Sequence, residues 1–98
     1  MQQQEQQQLA RYMKALGHPV RVQIVNLLAS EGECLTGDLS DRLPVAASTA
    51  SQHLKILREA GLISGQVDGP RRCYCVKADA LAQARALFTR LTADCCKS

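Results

Sequence analysis

A chain of 98 residues is long enough for one domain and too short for a second core, which excludes a multidomain enzyme. Hydrophobic residues make up 46% of the sequence but aromatic residues only 3%, so the predicted core is aliphatic, as in packed helices, and an all-β sandwich is not expected. The formal net charge of +3 permits binding to a polyanion such as DNA.

The chain contains no segment near the roughly 18 apolar residues of a membrane span, and it begins with a Gln-rich polar run. We therefore expect a soluble, cytoplasmic protein with no membrane partner. Its cysteines are odd in number, so no set of internal disulfides uses them all: Cys34, Cys73, Cys75, Cys95 and Cys96. Because cytosolic thiols stay reduced, metal or redox chemistry explains these residues better than structural disulfides.

The polar run at residues 1–8 predicts a frayed tail or an extension of the first helix, ahead of a single domain over residues 9–96. Apolar residues at helical spacing then predict a first helix that stops at Gly17. The same spacing predicts a second helix that starts at Pro19, a residue suited to a first helical turn, and ends near Ser30.

Three leucines at four-residue intervals predict a short third helix that is ended by Pro44: Leu35, Leu39 and Leu43. After a tight turn, a fourth helix is predicted from Ala46 or Ala47 to Ala60, with Gly61 as its stop. The apolar side chains of this helix share one face, which leaves small polar side chains on the other.

Two short strands, residues 62–66 and 72–76, flank Asp68-Gly69-Pro70 and predict a hairpin. The last predicted helix runs from Asp79 to about Asp94, and its apolar face is so broad that it needs a partner. The predicted fold is thus mainly α with a small β-hairpin: four helices, two strands and a fifth helix.

A short helix, a tight turn and a second helix with a polar free face are typical of a helix-turn-helix, whose second helix enters the major groove of DNA. Gln52 can pair with adenine, and Lys55 can neutralise a phosphate. The hairpin adds two arginines where a wing would lie along the neighbouring phosphates. The predicted DNA-binding residues are Ser48, Thr49, Ser51, Gln52, His53, Lys55, Arg71 and Arg72.

Several runs of the sequence resemble the ArsR/SmtB family of bacterial metal-sensing transcriptional repressors: residues 15–21 (ALGHPVR), 35–39 (LTGDL), 48–62 (STASQHLKILREAGL) and 72–74 (RCY). The resemblance covers roughly residues 9–94, and the run at 48–62 is its most specific part. It implies a winged helix-turn-helix homodimer, joined through its first and last helices, that binds an inverted-repeat operator in double-stranded DNA. Such repressors release the operator when an inducer binds.

One departure from the family pattern concerns DNA reading. Relatives commonly begin the recognition helix with Ser-Gln, whereas this chain has Ala46-Ala47. The change removes a helix cap worth about 1 kcal/mol together with a base-reading amide. The bases that the helix reads are therefore not specified by the resemblance.

The sensing sites of the family must be tested one by one. The arsenite motif that relatives carry on the third helix aligns with residues 35–39, which contain no thiol. Residues 79–98 contain no histidine, which argues against the zinc or nickel site of the last helix. The vicinal pair Cys95 and Cys96 resembles the C-terminal pair of some arsenite and antimonite sensors, and adjacent thiolates favour soft ions.

The predicted inducer is therefore trivalent arsenic or antimony bound at Cys95 and Cys96, and no resident cofactor is expected. Inorganic arsenite takes three sulfurs, so a third ligand is needed, with Cys34, Cys73 and Cys75 as candidates. If only two thiols converge, methylarsenite suits the site better. For Cys73 and Cys75, which share one face of a strand, a packing role is the preferred interpretation.

Three other functions compete with a metalloid sensor. A thiol redox or persulfide switch would use the same cysteines, two of which would pair on oxidation. A winged helix that binds only protein would show little response to salt. A thiol enzyme with Cys34 as nucleophile is rejected, because no histidine with an orienting acid lies nearby in the sequence.

Overall fold

The computed structural model describes residues 1–30, 35–36, 42–66 and 73–93. These residues form a helical body with a small antiparallel sheet, which confirms the predicted fold class. In chain order the elements are α1 (Gln3–Leu16), α2 (Pro19–Ser30), β1 (Leu35–Thr36), α3 (Ala47–Glu59), β2 (Ile63–Gln66), β3 (Cys73–Val76) and α4 (Ala78–Leu91).

The polar N-terminal run belongs to α1, so of the two predicted alternatives the structure has the helix extension. Helix α1 begins at Gln3 and ends before Gly17, as its apolar spacing predicts. Within the polar run, Glu5 forms an ion pair with Arg90 of α4. The backbone N–H of Gln2 also donates a hydrogen bond to the Glu5 carboxylate at 3.1 Å, so the polar first turn is held by a local cap as well as by a partner on a second helix.

The predicted third helix is wrong at its start, because Leu35 and Thr36 form strand β1. Their register partners are Tyr74 and Cys73 of β3, in an antiparallel ladder. Residues 37–41, which hold most of the remaining predicted helix, lie outside the described residues. The spacing of three leucines could not reveal this pairing, because the backbone partners of β1 lie almost forty residues away in the sequence.

The sheet has the order β1-β3-β2, with β3 paired on both of its edges. In the β2–β3 ladder, Ile63 lies opposite Val76 and Gln66 lies opposite Cys73. The predicted hairpin is thus confirmed, and β1 adds a third strand to it. The predicted turn and both wing arginines fall in residues 67–72, outside the described residues.

Helix α3 is joined to the sheet by Gly61, whose φ of 82° lies in the left-handed region that favours glycine. The largest fully buried side chains lie around this junction and in α2, where they form an aliphatic core: Ile24, Leu28, Leu57, Leu62 and Ile63. Helices α1 and α4 pack against each other, and the Tyr12 hydroxyl donates a hydrogen bond to Gln83 Oε1 at 2.8 Å. Within the described parts of the chain, no helix is both long enough and apolar enough to cross a membrane.

Candidate nucleic-acid interface and cysteine sites

Helix α3 has a buried apolar face and an exposed polar face. Its inner face places Ala50, Leu54 and Leu57 in the core. Its outer face exposes the side chains that were predicted to meet DNA bases and phosphates: Ser48, Thr49, Gln52 and Lys55. Ser48, Thr49 and Gln52 lie in the N-terminal half of the helix, the part that contacts base edges when such a helix enters the major groove, and Lys55 follows in the second half.

The first turn of α3 has no side-chain cap. Ala46 occupies the N-cap position with an extended backbone and makes no side-chain hydrogen bond, because alanine has no acceptor to offer. The structure thus agrees with the sequence prediction that Ala46-Ala47 leaves the start of this helix without a side-chain cap. The first backbone N–H groups of the helix lie beside the exposed Ser48 and Thr49.

Ser51 lies at the margin of the outer face and is half-buried. It lines a cleft between α3 and β3, together with Lys55, Arg58 and the buried ring of Tyr74. Tyr74 on the middle strand of the sheet thus lines the same cleft as side chains of the recognition helix. Among the strands, it is β2 that packs against α3.

His53 is placed differently from the sequence prediction of a DNA contact. Its side chain is only 9% exposed, and its Nδ1 lies 3.3 Å from Nη1 of Arg21 on α2. The ring also lies against His18, with centroids 4.4 Å apart. Buried on the inner side of α3, His53 is not part of the exposed face, and we remove it from the proposed DNA contacts.

Arg21 joins three elements around His53. Its Nε donates to the carbonyl oxygen of Ala15 at 2.5 Å, and its Nη2 lies 3.5 Å from that of Lys14, so the guanidinium also caps the C-terminal end of α1. The pKa of His53 is lowered, first by burial and then by the neighbouring His18 and Arg21. A neutral His53 can accept a hydrogen bond from Arg21, which fits the observed contact.

No pattern within α3 could distinguish His53 from the exposed polar residues beside it. Histidine and glutamine are both polar, and helical spacing places position 53 close to the boundary between the two faces. Arg21, the partner that makes burial of the imidazole acceptable, lies thirty-two residues earlier on another helix. The sequence holds only one weak indication that His53 is buried, which is the arginine near the start of the preceding helix.

The remaining predicted site residues fall largely outside the described part of the chain. Arg71 and Arg72, Cys34, and the predicted metalloid pair Cys95 and Cys96 are among them. Their predicted roles remain predictions. Among the described residues, no group of three or more His, Cys, Asp or Glu side chains is placed to hold a metal ion.

Two of the candidate third ligands are described. Cys73 is half-buried and has a free thiol. Cys75 is half-buried and disulfide-bonded, so its sulfur cannot bind a metalloid in this oxidation state. The packing role preferred from sequence does not account for a bonded cysteine.

The outer surface of α4 exposes two large apolar side chains. Phe88 is 51% exposed and Leu91 is 57% exposed, whereas Ala80, Ala84 and Leu87 on the neighbouring face are buried. The broad apolar face predicted for the last helix is therefore only partly covered by the chain itself.

Comparison with known proteins places this arrangement in a family. The model of the arsR family of bacterial regulatory proteins matches residues 18–64, which contain α2 and α3. The regulator Rv0081 of Mycobacterium tuberculosis (strain H37Rv), described as an uncharacterized HTH-type transcriptional regulator, is 33% identical over 89 residues, 87% of this chain and 78% of that protein. The chain belongs to the ArsR family. It is a transcriptional regulator and not an enzyme, as the sequence predicts.

A second relative is the biofilm growth-associated repressor of Xylella fastidiosa (strain Temecula1), which is 34% identical over 83 residues, covering 84% of this chain and 72% of the repressor. Among solved structures, an ArsR family regulator called RHA00566 has a TM-score of 0.75 at 20% identity, with 88% of each chain covered, and supports the fold. A structure described as "Possible transcriptional regulator for arsenical resistance" has a TM-score of 0.64 at 33% identity, covering 88% of this chain and 97% of that one.

Proposed function

We propose that this ArsR-family regulator is a homodimeric, cytoplasmic repressor that binds an inverted-repeat operator and is released by trivalent arsenic or antimony at Cys95 and Cys96. The observation that carries the DNA-binding part is the exposed polar face on the N-terminal half of α3. Its named contacts are Ser48, Thr49, Ser51, Gln52 and Lys55 on α3, with Arg71 and Arg72 on the wing.

The chemistry of the α3 face suits double-stranded DNA. The Gln52 amide can make a bidentate contact with adenine, and the serine and threonine hydroxyls can reach bases or phosphates. Lys55 lies one helical turn after Ser51 and supplies a positive charge for the flanking backbone. The half-buried Ser51 contributes at the edge of this surface and not at its centre.

Dimerisation is supported by the exposed Phe88 and Leu91 on α4. Both side chains are large, apolar and more than half exposed. Covering them with a second copy of the chain removes apolar surface from water, which stabilises the dimer. A two-fold dimer would place two copies of α3 about one DNA turn apart, roughly 34–36 Å, on a palindromic operator. One relative is named a repressor, which supports repression as the way this protein regulates transcription.

The inducer part is supported by the vicinal thiols and by the relative described in terms of arsenical resistance. Two adjacent thiolates can bind one soft ion with little rearrangement of the chain. Of the three candidate third ligands, the bonded Cys75 is the least suitable. Cys73 and Cys34 remain, and with neither of them the pair would favour methylarsenite, which takes two sulfurs.

The first experiment measures fluorescence anisotropy of the reduced protein on the DNA upstream of its own gene. Titration with arsenite, methylarsenite, zinc and persulfide in turn identifies the inducer. We expect release by a trivalent arsenical and not by zinc. Failure to bind that DNA at all would contradict the repressor assignment.

A double substitution tests the sensor residues directly. We expect the protein with Cys95→Ser and Cys96→Ser to bind the operator normally and to ignore arsenicals. The matched control is Cys75→Ser, which removes the least suitable of the candidate third ligands and leaves the pair intact. Normal induction of the double variant would overturn the assignment of the pair.

A thiol redox or persulfide response is the second candidate function, and one specific observation favours it. Cys75 already forms a disulfide in the structure, so at least one pair of cysteines in this chain is close enough to bond. Release of the operator by persulfide alone, with no response to arsenicals, would select this function over metalloid sensing.

A further inference from the structure

A second cleft, the α1–α3 cleft, lies between the C-terminal halves of α1 and α3. Its lining includes Arg11, Lys14 and Ala15 of α1, Arg21 of α2, and Ile56 and Glu59 of α3. Its volume of about 290 Å³ is close to the lower end of the range for small-molecule sites. Neither Phe88 nor Leu91 of α4 belongs to the lining, so the proposed dimer contact through those two side chains does not use this cleft.

Positive charge dominates the polar part of the lining. Three cationic side chains, Arg11, Lys14 and Arg21, stand against the single carboxylate of Glu59, which leaves a net charge of +2. Within the described parts of the chain, neither Arg11 nor Lys14 forms an ion pair with a carboxylate. The charge of the cleft is thus available to an anionic ligand.

Arg21 gives an independent indication of an anion site. Its guanidinium is half-buried and lines the cleft. The partners that the structure gives it are all neutral: the carbonyl oxygens of Ala15 and Lys14, and the imidazole of His53. A cation that is partly removed from water and has no carboxylate beside it keeps part of its desolvation cost. A carboxylate bound in the cleft would supply the missing negative charge.

The rest of the lining is apolar and partly wet. Ile56 is 41% exposed, and it lines the cleft together with the buried methyl group of Ala15. A hydrocarbon group that covers Ile56 removes apolar surface from water, which favours binding. An inorganic anion would use the cations and leave this surface exposed. The lining therefore suits a ligand that has both an acid group and an apolar tail.

We propose that the α1–α3 cleft binds a small monocarboxylate with an apolar tail, at a site separate from the proposed thiol sensor. The carboxylate is held by Arg11, Lys14 and Arg21, and the tail lies against Ile56. At about 30 Å³ for each water-sized group, the cleft holds roughly ten non-hydrogen atoms. Octanoate has this size and is the probe of choice.

Calorimetric titration of the full chain with octanoate tests the site. We expect a dissociation constant below about 1 mM, a modest affinity for a ligand of roughly ten non-hydrogen atoms. Shortening the tail to hexanoate should weaken binding by about fourfold for each methylene lost. Octan-1-ol keeps the tail without the charge and should bind at least about tenfold more weakly, because a charge-assisted hydrogen bond is lost.

Three results of this titration would overturn the proposal. The first is absence of octanoate binding at about 1 mM. The second is octan-1-ol binding as tightly as octanoate, which would make the cleft purely apolar. The third is inorganic phosphate or acetate binding as tightly as octanoate, which would make it purely electrostatic.

Substitutions of the cations identify the acid-binding part of the cleft. The protein with Arg11→Gln and Lys14→Gln should bind octanoate at least about tenfold more weakly. Arg85→Gln removes a guanidinium from an exposed position of α4 and is the matched control, which should bind normally. Arg21 is left in place, because it holds His53 and the end of α1. Wild-type affinity in the double variant would overturn the assignment.

Two further variants test the tail contact and the sign of the charge effect. Ile56→Ser should weaken octanoate binding by about fourfold or more, whereas Val22→Ser, a similar change at an exposed position of α2, should not. Glu59→Gln removes the acidic residue of the lining and should tighten binding by about twofold. A damaged fold would not produce a gain. Weaker binding by Glu59→Gln would contradict the proposed electrostatics.

Sedimentation velocity distinguishes a ligand site from a contact between two copies of the chain. We expect Ile56→Ser to sediment as the wild type does. If this variant dissociates the dimer and keeps wild-type octanoate binding, the cleft is an interface and the proposal is overturned.

The cleft is connected to the recognition helix through Arg21. A carboxylate bound to its guanidinium competes with His53 of α3 and with the carbonyl oxygen of Ala15, the contacts that hold α3 to α2 and α1. We expect saturating octanoate to lower operator affinity by about fivefold or more, the lower end of typical coupling between sites. This consequence rests on the proposed operator binding, whereas ligand binding itself does not.

Anisotropy on the operator, with and without octanoate, measures the regulatory consequence. The protein with Arg11→Gln and Lys14→Gln should lose the response at the octanoate concentration that releases the wild type. Octanoate binding with unchanged operator affinity would overturn the regulatory role and leave the site standing. Absence of operator binding without octanoate would instead count against the proposed function, with the calorimetric result unaffected.

Discussion

Helices α3 and α4 are both amphipathic, but they leave different chemistry uncovered. Helix α3 exposes Gln52 and Lys55 among small hydroxyl side chains, whereas α4 exposes Phe88 and Leu91. Water solvates the polar surface of α3 well, so this surface suits a partner that it binds through specific hydrogen bonds and charge. The second surface is poorly solvated and favours burial against protein. We therefore propose DNA as the partner of α3 and a second copy of the chain as the partner of α4.

The largest expected effect is on the α4 surface. Leu91→Glu places a charge in the proposed interface, and we expect the dimer to weaken by about 2 kcal/mol or more, roughly thirtyfold. Sedimentation velocity at micromolar concentrations measures the change. Ala86→Glu, on the opposite exposed side of α4, is the matched control and should leave the dimer intact. Equal sedimentation of the two variants would remove α4 from the interface.

The next effect is on the α3 surface. Gln52→Ala should cost about 1–3 kcal/mol in operator affinity, because a bidentate base contact is lost. Anisotropy titrations at fixed salt measure this loss. Gln4→Ala makes the same change at an exposed position of α1 and should bind normally. Wild-type affinity in Gln52→Ala would show that this side chain does not read a base.

A smaller effect separates phosphate contacts from base contacts. Lys55→Ala should weaken binding to operator and unrelated DNA alike, and it should reduce the slope of log affinity against log salt by about one. Lys14→Ala removes the same charge from the exposed end of α1 and should leave the slope unchanged. An unchanged slope in Lys55→Ala would place that ammonium away from the phosphates.

The smallest effect concerns the inner face of α3. The pKa of His53 is lowered in the folded protein, so the unfolded chain takes up the proton first as the pH falls below about 6.5. We therefore expect the free energy of unfolding to decrease as the pH falls below about 6.5, and protonation of His53 to have no effect on it at higher pH. Urea midpoints between pH 5 and 8 measure the trend.

Asn at position 53 keeps an acceptor for Arg21 but does not titrate. His53→Asn should therefore flatten the loss of stability at low pH, whereas His18→Asn, a change at the neighbouring ring, should flatten it less. If His53→Asn keeps the full wild-type pH dependence, another group is responsible for it.

The elements that follow local rules could be predicted closely. Gly17, Pro19 and Gly61 mark helix ends that the structure reproduces within a residue, because glycine and proline act through their own backbone preferences. The polar face of α3 was predictable for the same reason, since helical periodicity is a property of neighbouring residues. Of the predicted α3 contacts, four are exposed, Ser51 is half-buried and His53 is buried.

The sequence by itself determined the winged-helix architecture, the aliphatic core and the polar surface of α3, all of which depend on short-range spacing and composition. Only the tertiary structure decided that Leu35 and Thr36 form a strand, that Arg21 holds His53 in the interior, and that Cys75 is bonded. Each of these depends on a partner far away in the chain. Long-range pairing leaves no periodic signal in either segment, so it is settled only when the elements pack together.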